Sequence, residues 1–170
     1  MPAVERAAQI VALTREHVFP TAQALAEAFS TEPLWGFFLL RSIPRRWFVV
    51  VLARILRARL TAGKPAYVAV AGGEVVGAVV IAPPRRGKAG HWKIVRLGVR
   101  PGWRGRGVGS SLMDRAHSLC DPDPDARGVY LSTHGRRNRS FYERLGYRVT
   151  GQIRLGRLEL YRMFRPTIHV

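Results

Sequence analysis

HWKIVRLGVRPGWRGRGVGSSLMDRAHSLC, residues 91–120, carries the transition that decides the fold. His91 to Arg100 predicts a strand, residues 102–109 are rich in glycine, and Val108, Leu112, Ala116 and Leu119 then form the apolar stripe of a helix. In Arg104-Gly-Arg-Gly-Val-Gly109 the glycines let the backbone curl tightly, so that successive amide N–H groups converge on an anion. The positive end of the following helix adds to this, and Arg104 and Arg106 offer charge-assisted hydrogen bonds, a combination that suits a pyrophosphate. A Rossmann fingerprint counted from Gly105 needs glycine where Ser110 stands, and no Gly-Lys-Ser/Thr closes a Walker A loop. A glycine loop taken alone is equally a plain turn joining strand to helix.

Toward the C-terminus, Asp121-Pro122-Asp123-Pro124 ends that helix, because each proline disfavours helical geometry in the residue before it. Gly128 to Thr133 reads as a strand, Asn138 as the N-cap of a short helix bearing Phe141 and Leu145, and Gly146 as its end. Tyr147 to Leu155 and Arg157 to Phe164 read as two closing strands around Gly156. Toward the N-terminus, Ala8 to Thr14 is a short strand and Thr21 to Phe29 a helix with Ala24, Leu25, Ala28 and Phe29 on one face, ended by Pro33. A second helix runs from Pro44 to Leu60, with Trp47, Val51 and Ile55 facing the core and Arg54 and Arg57 on another face. Ala66 to Ala71 and Glu74 to Ala82 form a hairpin about Gly72-Gly73, and Pro83 to Gly90 is a surface linker. There is no internal repeat, and the order of elements implies a mixed α/β sheet.

The chain has 170 residues, the length of one domain, with 47% hydrophobic residues to fill a core. A formal charge of +17 favours anionic ligands or partners but does not choose among nucleic acid, a membrane surface and a phosphorylated cofactor. Cys120 has no partner for a disulfide, no Cys/His cluster has zinc-ligand spacing, and the N-terminus lacks a signal-peptide run, all of which fit the cytoplasm. Leu34 to Leu60 is the most apolar region, yet six arginines interrupt it, so no transmembrane segment is expected.

Arg104, Gly107 and Gly109 meet the signature Gln/Arg-x-x-Gly-x-Gly/Ala, and with Asn138-Arg-Ser-Phe-Tyr-Glu-Arg-Leu-Gly-Tyr147 downstream the chain resembles the GNAT superfamily of acetyl-CoA-dependent N-acyltransferases. The resemblance is strongest over residues 91–149. It implies one domain over residues 1–170, with a mostly antiparallel sheet of six to seven strands, splayed between the fourth and fifth and flanked by about four helices. It implies acetyl-CoA as co-substrate and no metal, with the acetyl group passed directly to a primary amine in a ternary complex. On the same resemblance the pantetheine arm pairs with the main chain of Leu97, Gly98 and Val99, Gly98 marks a bulge, and the pyrophosphate sits on Arg104, Gly105, Arg106, Gly107, Val108 and Gly109. The Val99 amide polarises the thioester carbonyl as an oxyanion donor, Asn138 touches the coenzyme, and Tyr142 protonates the departing thiolate. The alternative for Tyr142 is a tyrosine packed beside Phe141.

For the base the candidates are His134, His91, Glu32 and Glu74, with His134, in a loop after a strand, the best guess; a lone loop histidine is also readily a solvated one, and a water chain could replace it. Trp35, Phe37, Phe38 and Trp47 are candidates for the wall of the acceptor pocket, with ordinary core packing the alternative for any at helical spacing, and Arg85, Arg86 and Lys88 could suit a carboxylate-bearing acyl chain, acetyl remaining the default. The acceptor, a small molecule or a protein amine, is expected to be acidic or neutral, since a polycation is repelled at long range. A homodimer is left open. Two other readings remain: a basic module for nucleic acid or a membrane surface, supported by charge alone, and a coenzyme A-binding protein without turnover.

Overall fold

Runs of valine, isoleucine and alanine bounded by glycine turns become strands, and stretches with apolar residues three and four apart become helices. The computed structural model describes residues 7–30, 44–84 and 90–167. In chain order these form β1 (Gln9–Ala12), α1 (Val18–Ser30), α2 (Arg45–Thr61), β2 (Ala66–Ala71), β3 (Glu74–Ala82), β4 (Gly90–Val99), a 3-10 turn (Pro101–Trp103), α3 (Val108–Cys120), β5 (Ala126–His134), α4 (Arg136–Arg144), β6 (Arg148–Leu155) and β7 (Leu158–Pro166). The seven strands make one sheet in the order β1-β2-β3-β4-β5-β7-β6. β1/β2, β2/β3, β5/β7 and β6/β7 are antiparallel and β4/β5 is parallel, so the sheet is the mixed, mostly antiparallel one that the sequence implies.

The β4/β5 ladder is short. It runs from Gly90 opposite Ala126 to Lys93 opposite Tyr130, and Ile94 to Val99 add no rung to β5. β5 meanwhile stays paired to β7 as far as His134 opposite Leu160.

By internal contacts the chain divides into two units: residues up to Val80 with Arg96–Arg115, and Ile81–Val95 with the residues from Ala116 on. In the first, α1 packs on α2. α1 buries Val18, Ala22, Leu25 and Ala28 among others, and starts earlier than expected because Pro20 falls in its first turn, where a missing N–H is no loss. The expected terminator Pro33 lies outside the described residues. α2 buries Val49, Leu52 and Leu56 rather than the expected stripe, and leaves Trp47 58% and Val51 49% exposed. The helix is apolar almost all round over residues 47–52, so spacing alone offered more than one inner face. Gly98 is where α1 comes closest to β4: a Cβ there would lie 2.8 Å from Leu25 Cδ2 and 3.1 Å from Ala28 Cβ. Close packing on α1 is what the structure shows at this glycine; the irregular step in the β4/β5 register falls at Gly90/His91.

In the second unit the Arg165 guanidinium grips Asp121 in two-pronged fashion, with contacts of 2.7 and 3.0 Å, tying β7 to the turn after α3. Trp92 Nε1 donates to Asp123 in the same turn at 2.8 Å. Gly156, at φ +59°, closes the β6–β7 hairpin with Leu155 opposite Leu158. No helix of the described residues is long and apolar enough to cross a membrane.

Gly98→Val is expected to destabilise the protein by about 1–3 kcal/mol through overpacking against Leu25 and Ala28. Urea unfolding checks this, and an unchanged midpoint would mean that α1 moves aside at no cost.

Candidate active site

Beyond β4 the chain makes its 3-10 turn and then reaches Gly105 and Gly107, both at φ +78°, a left-handed backbone that side chains resist. A Cβ at either position would meet nothing within 4 Å, so the space above the loop is open. α3 begins at Val108, whose buried side chain anchors the loop, and its first turn contains no acidic residue. The leading amides of a helix have no acceptor within it, and an open, acid-free helix start reached through two left-handed glycines fits a phosphate.

The arginine side chains are deployed otherwise than the sequence suggested. Arg104 Nη2 donates to the carbonyl of Ala28 in the last turn of α1 at 2.7 Å, and its Nε donates to the carbonyl of Val99 at 3.3 Å. The guanidinium therefore ties strand end, helix end and loop together instead of pointing at a ligand, since free carbonyls at a helix C-terminus attract such a donor. Arg106 lies over the Trp103 ring, 5.1 Å from its centroid. Main-chain amides are thus what the loop presents.

Leu97, Gly98, Val99 and the loop Arg104, Gly105, Arg106, Gly107, Val108 and Gly109 belong to the first unit; His134, Asn138 and Tyr142 belong to the second. His134 is the last residue of β5 rather than a loop residue, half-buried, on the strand face of Tyr130 and Ser132 and not that of Leu131 and Thr133. Gly135, at φ 73° and ψ 149°, then turns the chain so sharply that α4 starts at Arg136. Asn138 therefore lies in the first turn and is not the N-cap; Gly135 holds that place without a side-chain bond.

Tyr142 is the buried residue of α4, 9% exposed, with its ring edge-on to Phe141 at 5.0 Å and to Tyr147 at 5.8 Å. Behind it, the Tyr147 hydroxyl and His117 Nε2 form a buried hydrogen bond of 2.9 Å. Sequence reasoning missed this pair, although His117 interrupts the apolar run Leu112, Met113, Ala116, Cys120 at helical spacing, a position where a histidine needs a buried partner. Burial pushes the Tyr147 hydroxyl well above its ordinary pKa. The Cys120 thiol is pushed up to about 12, by burial first and by Asp121 second, so it stays protonated and shielded.

Of the other base candidates, His91 is exposed and packs edge-on against Phe164 at 5.4 Å, and Glu74 pairs with Arg100 at 3.5 Å. Glu74 also borders a shallow cleft of about 430 Å³ with Glu16, His17, Gln23 and Arg100. Glu32, Trp35, Phe37, Phe38, Arg85, Arg86 and Lys88 lie outside the described residues. Among the described residues no group of three or more His, Cys, Asp or Glu is placed to hold a metal ion.

The family model for the acetyltransferase (GNAT) domain matches residues 62–149, just over half of the chain. No curated protein matches. Among solved structures, a histone acetyltransferase HPA2 and related acetyltransferase from Corynebacterium glutamicum is 21% identical, with a TM-score of 0.78 over 97% of this chain and 99% of that one. Ard1 from Thermoplasma volcanium is 21% identical, with a TM-score of 0.69 over 96% of this chain and 100% of that one. The PaiA N-acetyltransferase from Thermoplasma acidophilum, solved in complex with coenzyme A, is 16% identical, with a TM-score of 0.73 over 95% and 99%. At these identities the likeness is one of fold.

Cys120 and Tyr147 both hold their protons more tightly folded than unfolded, so their contribution to stability is full below their ordinary pKa values of 9.0 and 10.0 and is lost as pH rises above them. Unfolding free energy should therefore fall as pH climbs past 9, with a shallower slope between pH 9 and 10 in Cys120→Ala. Tyr147→Phe removes the hydrogen bond to His117 and should cost about 1–3 kcal/mol at neutral pH, as measured by denaturant titration.

Proposed function

The chain belongs to the GNAT acetyltransferase family, and on that premise we propose that it transfers the acetyl group of acetyl-CoA to a primary amine by direct attack within a ternary complex. The observation that carries the proposal is the open cradle at Gly105 and Gly107, set at the start of α3 and directly after a β4 whose ladder to β5 stops at Lys93. The amides of Arg104 to Gly109 hold the pyrophosphate, the main chain of Leu97 to Val99 pairs with the pantetheine arm, and the Val99 N–H stabilises charge that develops on the thioester oxygen.

In the transfer, the amine nitrogen forms the new N–C bond as the C–S bond breaks. Tyr142 gives its proton to the leaving thiolate, and His134, directly or through water, takes the proton released by the amine. Asn138, in the first turn of α4, contacts the coenzyme. Direct attack is favoured because the chain's sole cysteine, Cys120, is buried and its thiol is pushed up to about 12, which disqualifies it as an acyl carrier. The whole chain acts as one domain, since β3, β4 and α3 each run from one unit into the other. We place it in the cytoplasm, where an unpaired cysteine is at home.

Calorimetric titration of the wild type with acetyl-CoA should give micromolar or tighter binding, about −8 kcal/mol or better. In Gly107→Trp that binding should vanish while the circular dichroism spectrum persists; absence of wild-type binding would overturn the proposal. Tyr142→Phe should lower kcat by about 10²-fold with acetyl-CoA affinity unchanged.

A further inference from the structure

Tyr147 is fixed at both ends. Its backbone N–H donates to the carbonyl of Tyr142 at 3.1 Å, and its hydroxyl meets His117 Nε2 at 2.9 Å in the interior, where Tyr147 is 2% exposed. The hook that brings it back over α4 depends on Gly146, at φ +86°, a backbone that favours glycine. The Leu145 N–H also donates to the Tyr142 carbonyl, at 3.0 Å, and the Gly146 N–H to that of Glu143. His117 is held in turn: its carbonyl accepts from the Asp121 N–H at 2.8 Å, and the Asp121 carboxylate is gripped by Arg165, whose Nε would lie 3.7 Å from a Cβ at Gly146. All of these residues belong to the second unit. A core that needed only volume would take phenylalanine and leucine here, with no polar atom to desolvate. A buried bond between hydroxyl and imidazole adds direction, because it stops the ring from sliding along its own axis as apolar contacts alone would allow. Against this fixed ring Tyr142 packs edge-on, with centroids 5.8 Å apart and planes at 71°.

We propose that Tyr147 and His117 are positioning residues for the acyl transfer: the bond between them pins the ring on which Tyr142 rests, and so holds the Tyr142 hydroxyl where the thiolate departs. The inference rests on the acid role proposed above for Tyr142. A proton donor misplaced by about 1 Å loses up to about 10²-fold in rate, so a rigid wall beside an aromatic acid has a kinetic effect out of proportion to its contact energy. Neither residue needs to touch substrate or coenzyme. Burial keeps the proton on Tyr147 well beyond neutral pH, so its hydroxyl stays a neutral partner of the imidazole and not a second acid.

The test is a double-mutant cycle on release of coenzyme A from acetyl-CoA, with glycinamide as a small primary amine. Tyr147→Phe, assayed below its unfolding midpoint, should lower kcat about tenfold with the calorimetric affinity for acetyl-CoA unchanged. In the Tyr142→Phe background the same change should add no more than about twofold, because the ring then has no acid to place. His117→Leu should match Tyr147→Phe, whereas His117→Gln, whose amide falls where Nε2 stood, should keep kcat close to wild type. A readout free of turnover is fluorine NMR of protein carrying fluorotyrosine, with the Tyr142 signal assigned by its loss in Tyr142→Phe. That signal should be single in the wild type and in His117→Gln, and should split or broaden in Tyr147→Phe and His117→Leu. If glycinamide is not a substrate, the fluorine signal decides alone. Equal losses of kcat from Tyr147→Phe in both backgrounds, a Tyr142 signal unmoved by Tyr147→Phe, or a His117→Gln as impaired as His117→Leu overturns the inference. An effect of Tyr142→Phe on kcat with none of Tyr147→Phe sinks the positioning role alone, whereas a Tyr142→Phe without effect sinks the underlying acid role and this inference with it.

Discussion

β4 and β5 are parallel neighbours, and a parallel pair cannot be joined by a tight turn; the chain has to cross over, here through the 3-10 turn, the glycine loop and α3. That single requirement sets the start of a helix beyond the carboxyl end of β4, where amides without helical acceptors face outward. The ladder then stops at Lys93 opposite Tyr130, so the last six residues of β4 keep main-chain groups that β5 does not take. The open glycine loop at the start of α3 and the strand edge are two consequences of one connection.

Arg104 shows how the loop is held in readiness. The arginine that identifies the signature spends its guanidinium on the carbonyls of Ala28 and Val99, while the backbone of Gly105 and Gly107 stays open. A ligand bound by fixed amides needs no side-chain ordering at the moment of binding, and the entropy of ordering has already been spent in folding. The charge of Arg104 therefore contributes through geometry, by fixing where β4 ends and α1 stops.

The element order and the glycine loop were legible in the sequence because turns there depend on local chemistry: Gly72-Gly73, Gly156 and the Asp-Pro repeat act within a few residues. What was not legible depends on tertiary choice. Helix α2 presents apolar residues on several sides, and only packing on α1 selects Val49, Leu52 and Leu56 over Trp47 and Val51. Asn138 has a capping side chain, yet the turn at Gly135 starts the helix before it. The His117–Tyr147 bond joins residues thirty apart, beyond the reach of any periodicity.

The distribution of acids explains why excess charge does not stay hidden. Eleven carboxylates face 28 Lys and Arg residues, so acids are shared: Glu27 serves Arg45 and Arg100, and Glu159 serves Arg136 and Arg154. Arg165 is among those served by Asp121, which locks the turn after α3. The remaining cations raise a positive potential that draws phosphates and carboxylates and repels polycationic amines over roughly a Debye length of 8–10 Å. At contact distance the field gives way to particular groups. There Arg100, met by the carboxylates of Glu27 and Glu74, is charge that builds the fold.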